Sequence, residues 1–210
     1  MIRLLVADDH AIVRQGLKQI LADVPDIVIE DEASNGKETL FHALNKDYDI
    51  LLLDISMPDS NGLDILNELR SKTPDLKVLI LSMHPEEQYA IRALKAGASG
   101  YLNKDTLPDE LLTAIRRVVL GRKYVSSSLA EKLAFDLDTG AEGALHDALS
   151  NREYEVMLKI ASGKKATEIA DELYLSAKTI STYRSRILRK MKMKNNTDLV
   201  RYVLENKLLD

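Results

Sequence analysis

The strongest constraint on the fold is an alternation in the first 120 residues. Short apolar runs rich in Ile, Leu and Val stand at "IRLLVA", "DILLLD" and "KVLILS", with weaker ones at "IVIEDEA" and "SGYL". Segments with helical spacing lie between them: Val13, Leu17, Ile20 and Leu21; Leu63, Leu66 and Leu69; Ala90 and Leu94; Leu111, Ile115 and Val118. Gly36, Pro74, Gly97 and Gly121 punctuate the boundaries. Five strand–helix alternations predict a parallel sheet covered on both faces, and right-handed crossovers make it doubly wound.

After Gly121 the pattern changes. "RKYVSSSLAEKLAFDLDTGAEGALHDA" is polar, with Ser and Gly clusters, and is read as a partly helical connection. Four short helical segments follow, at about 151–162, 166–174, 177–192 and 196–206, with no strand signal among them. Ser150 with Glu153 forms a capping box, and Gly163 closes the first of these helices. The expected organisation is an α/β domain over 1–121, a linker over 122–145 and an all-α domain over 146–210.

Charge divides the same way. The 210 residues carry a net charge of -4. Residues 146–210 hold 13 Lys+Arg against 9 Asp+Glu, a net +4, which leaves -8 for the rest. An acidic body with a basic tail suggests two tasks, one of them involving a polyanion. The absence of Cys excludes disulfides and thiolate metal sites and fits a reducing compartment. The longest apolar runs are too short to span a bilayer, and no signal sequence is read, so a cytoplasmic protein without membrane association is expected.

Ligands of parallel doubly wound sheets sit at the carboxyl ends of the strands. There the sequence places Asp8 and Asp9 after the first run, Asp54 after the third, Ser82 after the fourth and Lys104 just after the fifth. Any one of these is an ordinary turn or capping residue. Together they put three carboxylates, a hydroxyl and an ammonium on one rim. Clustered carboxylates repel unless a hard divalent cation sits among them. With Mg²⁺ the set has the parts for phosphoryl transfer to a carboxylate.

The stretches "ADDH", "LLLDISMPDSNGLDIL", "VLILSMH" and "AGASGYLNKD" resemble the receiver domain of bacterial two-component response regulators, over roughly residues 1–120. The resemblance implies a flavodoxin-like fold. It implies Asp54 as acceptor of a phosphoryl group from a sensor histidine kinase. Asp8, Asp9, Asp54 and the backbone carbonyl of Ser56 would hold Mg²⁺. Lys104 would pair with the phosphoryl group, Ser82 would be the switch hydroxyl, and Tyr101 the switch aromatic that packs inward when Ser82 moves. Met57, Pro58 and Gly62 shape the loop after Asp54. Met83 is bulkier than the small residue many receivers carry there. His84, two residues beyond Ser82, could tune loss of the phosphoryl group but is read as an exposed loop residue.

In the tail, "LSAKTISTYRSRILRKMKMK" holds seven cations and no acid. Ile180, Ile187 and Met191 form an inward stripe with Tyr183 between, and Ser176 can cap the helix. A short helix with Ile169, Ala170 and Leu173, a tight turn and a basic helix form a helix-turn-helix pattern. A solvated basic face on a small bundle would look similar by charge alone. The order "LSNREYEVM…IASGKKATEIADELYLSAKTISTYRSRILRKM" resembles the LuxR-type helix-turn-helix of NarL/FixJ-class regulators, over about 146–208. The resemblance implies that Ser181, Thr182 and Ser185 face base edges of double-stranded promoter DNA. It offers Lys178, Thr179, Arg184, Arg186 and Lys190 for phosphate contacts, and Leu199, Val200, Val203 and Leu204 for a dimer-contact helix. A homodimer on phosphorylation is expected, with RNA polymerase a further candidate partner.

Four competitors remain at this stage. A phosphatase with an aspartyl-phosphate intermediate often has a second carboxylate two residues after the nucleophile, where Ser56 stands. A nucleotide-binding domain would need a Gly-rich loop after the first strand. An adaptor could use the basic tail on an acidic partner, and a regulator could work without phosphorylation. The expected protein is a regulator, not an enzyme in the usual sense.

Overall fold

The computed structural model describes residues 1–58, 60–105, 108–127, 129–131 and 144–209. They fall into two compact units, one within Met1–Phe135 and the other within Asp136–Asp210.

The first unit is the expected α/β layer structure. Its strands are β1 (Ile2–Ala7), β2 (Ile27–Ala33), β3 (Ile50–Leu53), β4 (Lys77–Ser82) and β5 (Gly100–Asn103). They form one parallel sheet in the order β2-β1-β3-β4-β5. Helices α1 (Ala11–Ala22), α2 (Gly36–Asn45), α3 (Gly62–Lys72), α4 (Glu86–Lys95) and α5 (Pro108–Val119) alternate with them. All four residues of β3 are buried, as a central parallel strand covered on both faces requires. Leu4, Val6, Ile50, Leu52, Leu79 and Leu102 point to one face, where Leu17, Leu21, Leu111, Ile115 and Val118 cover them. Each fully buried aliphatic side chain there contributes roughly 1.5–3 kcal/mol relative to exposure.

The chain beyond α5 does not leave the sheet at Gly121. Tyr124 donates its N–H to the Ser99 carbonyl (2.9 Å), and its own carbonyl accepts from the Tyr101 N–H (3.3 Å). This parallel bridge opposite Gly100 covers the otherwise open edge of β5. The Tyr124 hydroxyl donates to Glu110 Oε1 on α5 (2.7 Å), and the Ser126 hydroxyl bonds Glu86 on α4. Gly100 is needed because a Cβ there would lie 2.7 Å from the Tyr124 carbonyl oxygen. The polar connection read from sequence over 122–145 thus begins as a strap on the first unit; its residues 128 and 132–143 lie outside the described residues.

The second unit holds a short 3₁₀ turn (Leu145–Ala148) and helices α6 (Asn151–Ala161), α7 (Ala166–Glu172), α8 (Ala177–Lys190) and α9 (Asn196–Glu205). The capping box is formed: Glu153 N–H donates to Ser150 Oγ (3.3 Å) and Ser150 N–H to Glu153 Oε2 (2.8 Å). Gly163 ends the first helix in the left-handed region (φ 85°). Val156, Met157, Ile169, Ile180, Ile187, Met191, Leu199 and Val203 are buried and make the core. Among the described residues this unit has no strand. No helix of the described residues is long and apolar enough to cross a membrane.

Candidate functional site

Asp8, Asp54 and Lys104 meet where the sheet ends. Asp54 N–H donates to the Ala7 carbonyl (2.9 Å), which extends the β1–β3 ladder by one step and sets Asp54 beside Asp8. Lys104 N–H likewise donates to the Ser82 carbonyl (2.9 Å) across the ends of β4 and β5. Gly62 permits the loop between Asp54 and α3 to fold back. Its N–H reaches the Ile55 carbonyl (2.8 Å), and a Cβ at 62 would lie 2.1 Å from the Asp54 carbonyl oxygen.

Lys104 Nζ lies 2.6 Å from Asp8 Oδ2 and 2.7 Å from Asp54 Oδ2. The three side chains are nearly sealed from solvent, with exposures of 5%, 3% and 2%. Burial pushes the Asp54 carboxyl up to about 6; the Lys104 ammonium opposes this and the Asp8 carboxylate adds to it. At neutral pH Asp54 is therefore ionised, held in an environment that disfavours its charge. Burial draws Lys104 downward, but Asp54 and Asp8 outweigh it and hold the ammonium above its usual range.

Asp9 is the less buried partner. Its Oδ1 is shielded from solvent yet accepts no hydrogen bond. The His10 Nδ1 approaches it to 2.7 Å out of hydrogen-bond alignment, and lies 3.3 Å from Asp8 Oδ1. Ligand atoms of Asp8, Asp9, His10 and Asp54 all fall within 4.8 Å of one another. An orphaned carboxylate oxygen among converging acids fits a divalent cation in chemistry and spacing. Ser56 presents its N–H to Asp54 Oδ1 (3.2 Å) and pairs with Asn61 in an antiparallel bridge.

Ser82 is fully buried, and its Oγ accepts from the His84 N–H (3.1 Å). Tyr101 is packed inward, 1% exposed, and its hydroxyl donates to the His84 carbonyl (2.8 Å). His84 is not the plain exposed loop residue expected from sequence. Its ring stacks on Tyr89 at 4.5 Å between centroids, and Nε2 lies 3.0 Å from Ser56 Oγ. Met83 points outward instead, 61% exposed. Sequence reasoning also passed over Arg14, which donates to the Asp8 carbonyl (2.7 Å) and pairs with Glu32 (3.2 Å), fixing the first acidic turn. An Arg one helical turn beyond an acidic pair was the available signal. For His10 the signal was plain adjacency in "DDH".

In the second unit, the N–H of Thr179 donates to Ser176 Oγ (3.0 Å), so α8 starts with a capped, exposed turn. Lys178, Ser181, Thr182, Arg184, Ser185 and Arg186 are exposed and Thr179 half-buried. The hydroxyls of Ser181, Thr182 and Ser185 each donate to the carbonyl four residues back at 3.0 Å, which leaves their lone pairs facing outward. Ser176, Lys178, Thr179, Thr182, Tyr183 and Arg186 line an open pocket of about 270 Å³. Two of the predicted cations are engaged within the unit. Lys190 Nζ sits 2.6 Å from the buried Glu153 carboxylate, and Arg184 Nε donates to Asn196 Oδ1 (2.6 Å). The buried acids Glu153 and Glu155, the latter 2.8 Å from Arg152, gave no sequence signal beyond the capping box. In α9, Leu199 and Val203 are buried in the core while Leu204 is 60% exposed.

These two arrangements match known families. Residues 4–116 match the response regulator receiver domain, and residues 147–203 match the bacterial regulatory proteins of the luxR family. The chain is 34% identical over 209 residues to the response regulator UvrY of Escherichia coli K12, covering 99% of this chain and 96% of that protein. It is 36% identical over 210 residues to the response regulator GacA of Pseudomonas protegens, covering 100% and 99%. Among solved structures it resembles RcsB of Salmonella enterica serovar Typhimurium bound to promoter rprA with the phosphomimetic BeF3-. That match has 26% identity, a TM-score of 0.64, and coverage of 97% and 98%. A further Salmonella typhimurium RcsB structure gives 25% identity and a TM-score of 0.70, with 97% of each chain covered.

Proposed function

The chain belongs to the DNA-binding response regulators of two-component systems, a receiver followed by a LuxR-type helix-turn-helix, and on that premise we propose that Asp54 is its phosphoacceptor. The observation that carries this is the Asp54 carboxylate, buried at the mouth of the sheet, with Lys104 Nζ at 2.7 Å and Asp8 joined through the same ammonium.

A carboxylate oxygen of Asp54 attacks the phosphorus of a phosphohistidine on the sensor kinase. The new O–P bond forms as the P–N bond breaks, and the imidazole nitrogen leaves with the bonding pair. Such a transfer needs alignment and charge neutralisation more than a strong base. Lys104 exchanges part of its pairing with Asp54 for the new phosphoryl oxygens. Asp8, Asp9, Asp54 and the Ser56 carbonyl would hold Mg²⁺, which neutralises phosphoryl charge when bound. Ser82 reaches the phosphoryl group once its bond from the His84 N–H gives way. In the arrangement seen, Tyr101 is inward on the His84 carbonyl and Ser82 is held by the His84 N–H; phosphorylation biases this loop towards a second arrangement in which Ser82 leaves that bond.

In the tail, α8 enters the major groove. Ser181, Thr182 and Ser185 read base edges; Lys178, Arg184 and Arg186 neutralise phosphates, Thr179 donates its hydroxyl to one, and Lys190 adds a weaker contact from its pairing with Glu153. Phosphorylation favours a homodimer on paired half-sites, where two weak modules gain by avidity. RNA polymerase is the further partner we assign to the promoter-bound dimer, and the cytoplasm its place of action.

The test measures affinity for promoter DNA at fixed salt, with and without acetyl phosphate and Mg²⁺, for wild type and Asp54→Asn. Tightening in the wild type alone supports the reading. Equal tightening of both proteins would show that Asp54 is not the acceptor.

A further inference from the structure

The aspartate cluster contains one residue that an all-oxygen magnesium site does not need. His10 opens α1 directly after the acidic pair. Its backbone N–H is held by Asp8 Oδ1 (2.9 Å), which fixes where the ring starts. Its Nδ1 then lies 2.7 Å from Asp9 Oδ1 and 3.3 Å from Asp8 Oδ1, among the atoms that gather within 4.8 Å. Lys104 takes the opposite oxygens, Asp8 Oδ2 and Asp54 Oδ2. The donors that remain for an ion are therefore Asp8 Oδ1 and Asp54 Oδ1, each with one backbone N–H on it and a lone pair to spare, Asp9 Oδ1, and one imidazole nitrogen. Asp9 Oδ1, shielded and without a hydrogen bond, faces that nitrogen.

We infer that His10 is a metal ligand, and that it makes this a mixed nitrogen–oxygen site favouring a first-row transition-metal dication over Mg²⁺. The inference rests on the reading of Asp8, Asp9 and Asp54 as the cation-holding set. The reason is donor chemistry. Mg²⁺ demands oxygen ligands and loses its waters reluctantly, so it gains little from an imidazole. Mn²⁺, Co²⁺ and Ni²⁺ accept imidazole beside carboxylates, with affinity rising along that series. The ring is on a side chain that is 58% exposed, so it can turn into the site or away from it without disturbing the core. With Mg²⁺ the ring stays outside an all-oxygen shell. With a transition-metal ion it closes the shell. The identity of the ion at the phosphoacceptor then depends on a residue outside the carboxylate set, and the receiver responds to transition-metal supply as well as to its kinase.

The test uses the full-length protein with Mn²⁺, Co²⁺ and Mg²⁺ as probes. Electron spin-echo modulation of bound Mn²⁺ reports nitrogen directly. Calorimetry gives the affinities for wild type, His10→Ala, His10→Gln and Asp9→Asn. Wild type should show ¹⁴N modulation that both His10 variants lose. Their Co²⁺ affinity should fall by about tenfold or more while Mg²⁺ affinity stays within about twofold. Asp9→Asn should weaken all three ions, which places the ion in this cluster. Mn²⁺ bound without ¹⁴N modulation, or equal losses for Mg²⁺ and Co²⁺ in the His10 variants, would overturn the role of His10 and leave the carboxylate site standing. Ion binding untouched by Asp9→Asn would overturn the carboxylate site itself, and this inference with it.

Discussion

Replacing Asp54 by Asn should stabilise the metal-free receiver. The carboxyl is raised from an ordinary value near 3.8 to about 6, first by burial, with Lys104 opposing and Asp8 assisting. The sign follows from linkage. Below the unfolded value both states hold the proton. Between 3.8 and about 6 the unfolded chain ionises while the folded site stays neutral, so stability falls as pH rises. Above the folded value both are ionised, and the loss is complete. A shift of about two units corresponds to about 3 kcal/mol, at about 1.4 kcal/mol per unit. Asn keeps the shape and removes the buried charge, and Lys104 keeps Asp8 as its partner at 2.6 Å. In chelator at pH 7.5, hydrogen exchange of the Leu51, Leu52 and Leu53 amides in the central strand reports unfolding of this unit alone. Protection should rise about a hundredfold in Asp54→Asn, and the advantage should fade as pH falls from 6 towards 4. Protection equal to or below that of the wild type at pH 7.5 would refute the reasoning. It would mean that the ion pairs of Lys104 outweigh the burial of the carboxylate.

Other consequences are direct. Gly62→Ala sets a Cβ against the Asp54 carbonyl, a backbone overlap at 2.1 Å that no rotamer relieves, so thermal melting should show a loss of about 3 kcal/mol or more. Tyr174 sits in the left-handed region (φ 54°) between α7 and α8 and is 71% exposed; Tyr174→Gly should raise stability by about 0.5–1 kcal/mol in urea titration. Arg186→Ala should weaken binding across DNA sequences and reduce the salt slope by about 1, whereas Lys190→Gln should chiefly destabilise the fold, by about 1–3 kcal/mol, because the buried Glu153 carboxylate loses its cation and keeps only the Ser150 N–H. Filter-binding at several salt concentrations, paired with melting curves, separates the two.

Much of the architecture was legible in local pattern. The apolar run of β3 and the helical stripe of Leu63, Leu66 and Leu69 state their periods without help from the rest of the chain. So do Ser150 with Glu153 and Gly163, because a cap or a helix end involves only neighbours in sequence. The rim was legible for a related reason: once the sheet is parallel, every strand delivers its last residue to the same edge, and Asp8, Asp54 and Lys104 follow. What local pattern could not supply were pairings between elements. Gly121 reads as an end, yet Tyr124 continues as a strap because β5 leaves an open edge only the assembled sheet possesses. His84 reads as loop, and becomes a packed residue only when Tyr89 on the helix that follows it and the distant Ser56 close on its ring. Lys190 reads as one cation among seven until Glu153 is found beneath it.

The division has a physical basis. By itself the sequence determined the periods, the caps, the charge asymmetry and the residues that stand at each strand end, since all of these are set by neighbours a few positions apart. The tertiary structure alone decided which oxygen of each carboxylate Lys104 takes, which atom of Asp9 is left facing His10, and how far Asp54 is drawn from its ordinary acidity. Those depend on distances of a few ångströms between groups up to a hundred residues apart, and on the exclusion of water that only packing brings.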